Sequence, residues 1–382
     1  MRVERHPTDR IFGSLILLAR QVSNVALAVP VALGATVSLA YAQATGSAVI
    51  DAARAPAFFE QREAAAPPGV KTTLQRLRQE IAERRWTFSV GYTAVAGKSL
   101  KEITGAVLPP NLRERAPVQA AFAKEAVIVD DLAAKRAGIP FPRPQCSDGA
   151  ASWNWLSKMT SVKDQDSCGS CWDFAAMGAY EGSYNIRNGG VINTSEQEVL
   201  DCSGAGSCSG GWYGPVYTWM TGHGVVDEAA DPYVGHSQSD QCVNGPYRVV
   251  SWSFVAPSNP YSVPSVAALK AALCAHGPLA VAVFADSYFQ DYTGGIFNNT
   301  NATSGINHAV VIVGWDDKKQ AWLVKNSWST GWGLGGYIWI HYNANNIGYA
   351  AAWVRPASNR YRFPTTVISL LRKYRLLEGA RH

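Results

Sequence analysis

An α+β fold of two halves is predicted by the order of two patterns. Residues 146–250 mix loop with apolar residues at helical spacing, whereas 251–355 hold short β-rich runs between turn residues. A helical half followed by an antiparallel β half leaves a cleft between them. The 382 residues, 47% of them hydrophobic, suffice for such a core and for further segments around it.

The N-terminal residues 1–44 read as a signal peptide. Arg2, Arg5 and Arg10 precede an Ala/Val-rich run from Asn24 to Ala40, and Ala40-Tyr41-Ala42 offers a small-x-small cleavage site. A membrane anchor is the alternative, weakened by Pro30 and Gly34 within the run. In residues 45–145, Leu74, Leu77, Ile81 and Trp86 mark an apolar stripe among charges, and Trp86 to Tyr92 alternates like a short strand. Taken alone, this is a small separate domain. Pro140, Pro142 and Pro144 follow as an extended linker.

Asp173 to Ile186 reads as a long helix. Ser195 and Glu198 form a capping-box pattern for a second helix, and Pro215 to Met220 reads as a third, shorter one. Strands are predicted over 280–284, 309–315, 321–325 and 336–340, with a helix from Ser265 to Ala275. The last segment, 356–382, places Val367, Leu370, Leu371, Tyr374 and Leu377 on one helical face beside Arg372, Lys373 and Arg375. Docking on its own domain is the first reading, and a basic membrane-contacting tail the second.

The net charge of +5 comes from scattered Lys and Arg with no stacking motif, which argues against nucleic acid. All seven Cys lie at or after Cys146, and an odd number suggests pairs plus one free thiol in an oxidising, extracytoplasmic compartment. One stretch, Val162 to Gly182, concentrates the chemistry. Cys171 stands where an apolar helix begins, and free N–H groups at a helix start favour a thiolate. Gln165, six positions earlier, brings a neutral amide donor toward the same point.

Four blocks carry a resemblance: Cys168-Gly169-Ser170-Cys171-Trp172, Cys208-Ser209-Gly210-Gly211-Trp212, Asn307-His308-Ala309-Val310, and Asn326-Ser327-Trp328 running on to Gly333. In this order the chain resembles the papain-like cysteine proteases over roughly residues 150–355. The segment before it resembles the pro-regions of bacterial members, and the alanine- and arginine-rich style fits a bacterium. The resemblance implies a papain-like two-lobe fold, a helical left lobe and a barrel-like right lobe, over residues 146–355. It implies that 45–145 is a pro-region crossing the cleft as an intramolecular inhibitor, with the mature chain starting between Lys135 and Ala151.

The resemblance also implies the roles. Cys171 is the nucleophile, His308 the acid and base, Asn326 the group fixing the imidazole, and Gln165 with the Cys171 backbone N–H the oxyanion site. Gly210 and Gly211 pair with substrate backbone, while Trp212, Tyr213, Asn307 and Ala350 to Ala352 border a pocket that takes an apolar side chain. Trp328 covers the His308–Asn326 bond. Disulfides Cys168–Cys208 and Cys202–Cys242 are implied, with Cys146 and Cys274 left as a third bridge or two free thiols. The short connection from Trp212 to Cys242 favours an endopeptidase. No cofactor and no metal is implied.

Rival readings stand beside these. Cys168 and Cys171 form a redox or zinc Cys-x-x-Cys, although no second ligand pair is evident. The same acyl-enzyme resolved by an amine makes a peptide ligase, and a silent homologue only binds peptides. Asp173 departs from the family's usual Ala or Ser, and a carboxylate there opposes thiolate formation unless it points away.

Overall fold

The computed structural model describes residues 55–139, 146–238, 242–299 and 305–361. The expected signal peptide 1–44, the prolines at 140, 142 and 144, and the stripe from Val367 to Leu377 lie outside them. Among the described residues no helix is long and apolar enough to cross a membrane.

The N-terminal segment holds α1 (Ala55–Ala64), α2 (Pro68–Glu83), β1 (Thr87–Val90), α3 (Leu100–Ile103) and α4 (Leu112–Arg136). Leu74, Leu77 and Ile81 are buried along one face of α2, and Pro68 at its start forfeits no helical hydrogen bond. At the start of α3, the Glu102 carboxylate accepts from the Ser99 backbone N–H at 2.8 Å and its hydroxyl at 2.6 Å. The 25-residue α4 has no such apolar signature. Its buried face is Leu112, Ala116, Gln119, Ala123, Ala126, Asp130 and Ala134, and Pro117 within it reads as a breaker.

The helical half contains β2 (Ser152–Asn154), α5 (Cys171–Asn188), α6 (Glu196–Cys202), the short pair β3 (Gly206–Ser207) and β4 (Gly210–Gly211), and α7 (Tyr213–Met220). There follow β5 (Val249–Phe254), α8 (Val266–His276), β6 (Leu279–Val283), α9 (Ser287–Gln290), β7 (Tyr292–Phe297), β8 (His308–Asp316), β9 (Ala321–Lys325), β10 (Tyr337–His341) and β11 (Tyr349–Pro356). The large sheet runs β1-β7-β10-β9-β8-β6-β11-β5, with β2 paired on β8. Its ladders are antiparallel except β7 with β10, which is parallel. β8 lies inside the sheet, buried along all but its last residue, and α5 packs across it. Six tryptophans, Trp172, Trp212, Trp315, Trp322, Trp328 and Trp332, are fully buried in the core.

Sequence and structure part in identifiable places. Ser195 caps α6 by accepting from the Glu198 N–H at 2.9 Å, but the Glu198 carboxylate accepts from Val226 N–H at 2.7 Å instead of closing the box. β5, β7 and β11 are strands that the β-run pattern does not mark. The bridges are Cys168–Cys208, Cys202–Cys242 and, resolving the open pair, Cys146–Cys274; Cys171 alone is free. With Cys168 bonded to Cys208, the redox and zinc readings of Cys-x-x-Cys lose their second thiol.

The N-terminal segment meets the sheet at both edges: β1 pairs with β7 at one, and α4 packs on β5 at the other. At the first edge, the Asp291 carbonyl accepts from Gly91 N–H at 2.9 Å, while its carboxyl is buried with Oδ1 unpartnered. Burial pushes that carboxyl up to about 7, against the pull of Arg78. The folded chain therefore holds the proton more tightly than the unfolded one, and stability is lost as pH rises from about 4 through about 7. Asp291→Asn is expected to raise Tm by several degrees at about pH 8 and leave it nearly unchanged at about pH 4, in a calorimetric pH series.

Candidate active site

α5 begins at Cys171, so the thiol meets the unpaired N–H groups of the first helical turn. The backbone amides of Ala309, at the head of β8, and of Gly105 also favour its anion. Burial nevertheless dominates and pushes the thiol up to about 12. Cys171 is wholly inaccessible here.

His308 opens β8, immediately before Ala309. Its Nε2 lies 2.8 Å from Asn326 Oδ1, and that oxygen also accepts from Ser327 N–H at 2.8 Å. An oxygen that accepts from its own neighbour fixes the amide's orientation and makes Nε2 the protonated ring nitrogen. Nδ1 is then a bare lone pair, and it has no hydrogen-bond partner. The Trp328 indole stacks on the imidazole at 4.5 Å between centroids, shielding the ring from water. Burial holds the imidazole down to about 4, opposed by the bond to Asn326.

Gln165 is gripped from both sides. Its Oε1 accepts from the Ser327 hydroxyl at 2.7 Å, which leaves Nε2 donating to Cys168 O at 2.8 Å and Ile103 O at 3.2 Å. Trp328 Nε1 donates to the same Ile103 carbonyl at 3.0 Å. Two donors from opposite halves thus converge on one carbonyl of the N-terminal segment.

That segment then crosses the cleft in extended form. Gly105 O accepts from Gly211 N–H at 2.9 Å, Val107 N–H donates to Gly211 O at 3.0 Å, and Ala106 N–H donates to Asn307 O at 2.8 Å. Ala106 and Gly211 form a parallel bridge. Gly105 passes so close to the main chain that an added Cβ would lie 1.8 Å from the Gly169 carbonyl oxygen. Gly210, at φ +124°, faces Val107 and Gly105 in a backbone region open to glycine alone.

The structure brings Cys171, Gln165, Asn307, Gly210, Gly211 and Trp328 onto this crossing strand, with His308 and Asn326 beside them. Trp212 and Tyr213 stack on each other at 4.2 Å and lie behind it, buried, with the Tyr213 hydroxyl donating to Ala350 O at 2.6 Å. Ile103, Gly105 and Ala106 carry no sequence signal, and Ser327 was visible only as the middle of Asn-Ser-Trp.

Asp173 is fully buried, and neither carboxyl oxygen has a hydrogen-bond partner. Burial first, then Glu196, pushes it well above its ordinary value, while Lys163 pulls the other way. Lys163 is committed elsewhere, 2.6 Å from Glu196 and 3.2 Å from Glu181. A carboxyl shifted toward its neutral form brings less negative charge to Cys171, which weakens the objection from its position.

The family model described as papain family cysteine protease matches residues 149–357. Fruit bromelain of Ananas comosus is 32% identical over 265 residues, covering 67% of this chain and 68% of its own. Gamete and mating-type specific protein A of Dictyostelium discoideum is 36% identical over 205 residues, covering 52% and 44%. Digestive cysteine proteinase 3 of Homarus americanus is 35% identical over 213 residues, covering 53% and 65%. The chain thus spans less than half of the Dictyostelium discoideum protein's own length, just under two thirds of the Homarus americanus proteinase's and just over two thirds of fruit bromelain's. The solved structure of digestive procathepsin L2 proteinase from Tenebrio molitor superposes with a TM-score of 0.60 at 28% identity, covering 78% of this chain and 92% of that one. These relatives are eukaryotic, so the bacterial source expected from composition finds no support.

Because Gly169 is backbone and cannot swing aside, Gly105→Ala should lift the crossing strand off the cleft. Alkylation of Cys171 by iodoacetamide is expected to run at least about tenfold faster in that variant, followed by intact-mass spectrometry. An unchanged rate means the strand does not guard the thiol.

Proposed function

Because this chain belongs to the papain family of cysteine proteases, we propose that it is a cysteine endopeptidase made as a zymogen. The observation that carries the reading is one free thiol at a helix head, bonded to the amide that follows His308, together with an imidazole whose Nε2–H is held by Asn326 and whose Nδ1 is unpartnered. The alternative Cys chemistries lack this arrangement.

Once the covering strand leaves, the thiol proton passes to His308 Nδ1 and the sulfur attacks the scissile carbonyl. The carbonyl π electrons move to oxygen, where Gln165 Nε2–H and the Cys171 backbone N–H stabilise the charge. Collapse expels the amine, which takes the proton from Nδ1, and leaves a thioester. Water then gives its proton to Nδ1 as it attacks, and the thiol recovers that proton on release of the acid. Asn326 keeps the ring in one tautomer through both halves. In the covered state Ile103 O sits on the Gln165 donor, consistent with the N-terminal segment acting as an intramolecular inhibitor.

Ala106, hydrogen-bonded to Asn307 and paired with Gly211, sits where a substrate's second residue before the cleaved bond would lie. The neighbouring Trp212–Tyr213–Ala350 wall supports a preference for an apolar side chain there. Three disulfides support a secreted or periplasmic location.

A peptide library digested by activated protein tests the reading. Cys171→Ala should fall to background, and Gln165→Ala should lose about 10²–10³ in kcat. Equal activity of wild type and Cys171→Ala would reject it. Products joined to an added amine in place of hydrolysis would favour the ligase, and failure of Cys171 to label with an epoxide would favour a silent homologue.

A further inference from the structure

α4 is joined to the inhibitory strand by only four residues, Leu108 to Asn111, yet it is built into the body of the protein in a different way. The strand touches the cleft through main-chain hydrogen bonds and glycines. α4 instead lies on β5, the outermost strand of the large sheet, and all six residues of β5 are buried. An edge strand left bare presents unpaired backbone groups and invites association. Gln119 Nε2 donates to Trp252 O at 2.8 Å, and the Tyr261 hydroxyl accepts from Leu112 N–H at 3.0 Å.

The decisive feature is charge. Asp130 of α4 is completely buried, and its carboxylate binds Arg187 of α5 and Arg355 of β11, the latter at 2.6 Å, together with the Tyr361 hydroxyl. Asp131 pairs with Arg355 as well. The Arg187 and Arg355 side chains are themselves only 9% and 16% exposed. Removing α4 would strip the carboxylate from two largely buried cations and uncover Trp252 and Phe254. Taking away one partner of a buried ion pair is much more costly than never having built it.

We propose that α4 is a lasting part of the active enzyme. Its docking surface is formed by β5 and the Arg187–Arg355 pair, and its occupant is residues 112–136 of this same chain. Activation releases the segment up to Val107 and leaves α4 in place, whether still continuous with the body or held as a separate fragment. The inhibitory pro-region is then shorter than the 45–145 expected from sequence. This inference rests on the protease reading above only for the event of activation.

Two measurements test it. The full chain is activated and labelled at Cys171 with a thiol-directed epoxide, and the labelled species is weighed by native and by denaturing mass spectrometry. The native mass is expected to include residues 112–136. A labelled species whose native mass lacks them overturns the proposal, and it does so without touching the protease reading. The second measurement needs no activation: in the full chain, Asp130→Asn keeps the side chain's shape and removes its charge. Tm is expected to fall by on the order of 10 °C, and an unchanged Tm overturns the proposal even if Cys171 never labels.

Discussion

The packing of the first turn of α5 against the head of β8 is the contact on which the rest depends. It brings the Cys171 thiol to the amide of Ala309, the residue that follows His308, although the two side chains belong to different halves of the fold and stand 137 positions apart in sequence. Each partner is fixed by something larger than itself. α5 is buried over nearly its whole length, and β8 is flanked by β6 and β9. Neither can shift by a side chain's width without disturbing a close-packed core. The site's precision is thus a property of the sheet and the helix, while Asn326, Ser327 and Trp328 trim the orientation of one ring.

The covering strand works by the opposite means. It contributes few apolar side chains to the cleft and relies on main-chain bonds to Gly211 and Asn307, which any extended peptide could make. Only glycine at residue 105 allows the approach to Gly169. The segment's hold therefore comes largely from its flanks: β1 zipped onto β7 on one side and α4 on the other. A strand weakly bound in itself but strongly tethered is easily lost once a tether is cut, which suits a cover meant to leave.

Much of this was legible in sequence, for stated reasons. α5 announced itself by apolar spacing behind Cys171, and β8, β9 and β10 by dense β-branched or aromatic runs. β7 and β11 escaped notice because Gly294 and Gly295 interrupt the one and alanines fill the other. β5 alternates Ser with aromatics, Ser251-Trp252-Ser253-Phe254, yet its serines are buried too, because α4 covers the strand. α4 itself packs through alanines, Gln119 and Asp130, a face that no hydrophobic period reveals. The triad partners depended on resemblance, since nothing local marks His308 or Asn326. Gly105 had no motif at all, because its role is steric and exists only opposite Gly169.

Covering the site has a consequence for how protons govern it. Under the strand the thiol is pushed up to about 12 and the imidazole held down to about 4, both chiefly by burial, so the pair is neutral. On the proposed reading, uncovering lets the proton move from sulfur to Nδ1. That transfer changes the charges but not the number of protons bound, so over the range where the ion pair persists pH does not favour one state through the pair. Any pH dependence of release then comes from groups elsewhere, among them those where β1 and α2 join the body. Glu80 is held below its ordinary value by the Tyr288 hydroxyl and then Arg76, so its contribution fades as pH falls. Asp291, raised by burial at the β1–β7 edge, works in the opposite sense. On the proposed reading the dyad supplies the chemistry, whereas the response to acidity belongs to carboxyls where the N-terminal segment joins the body.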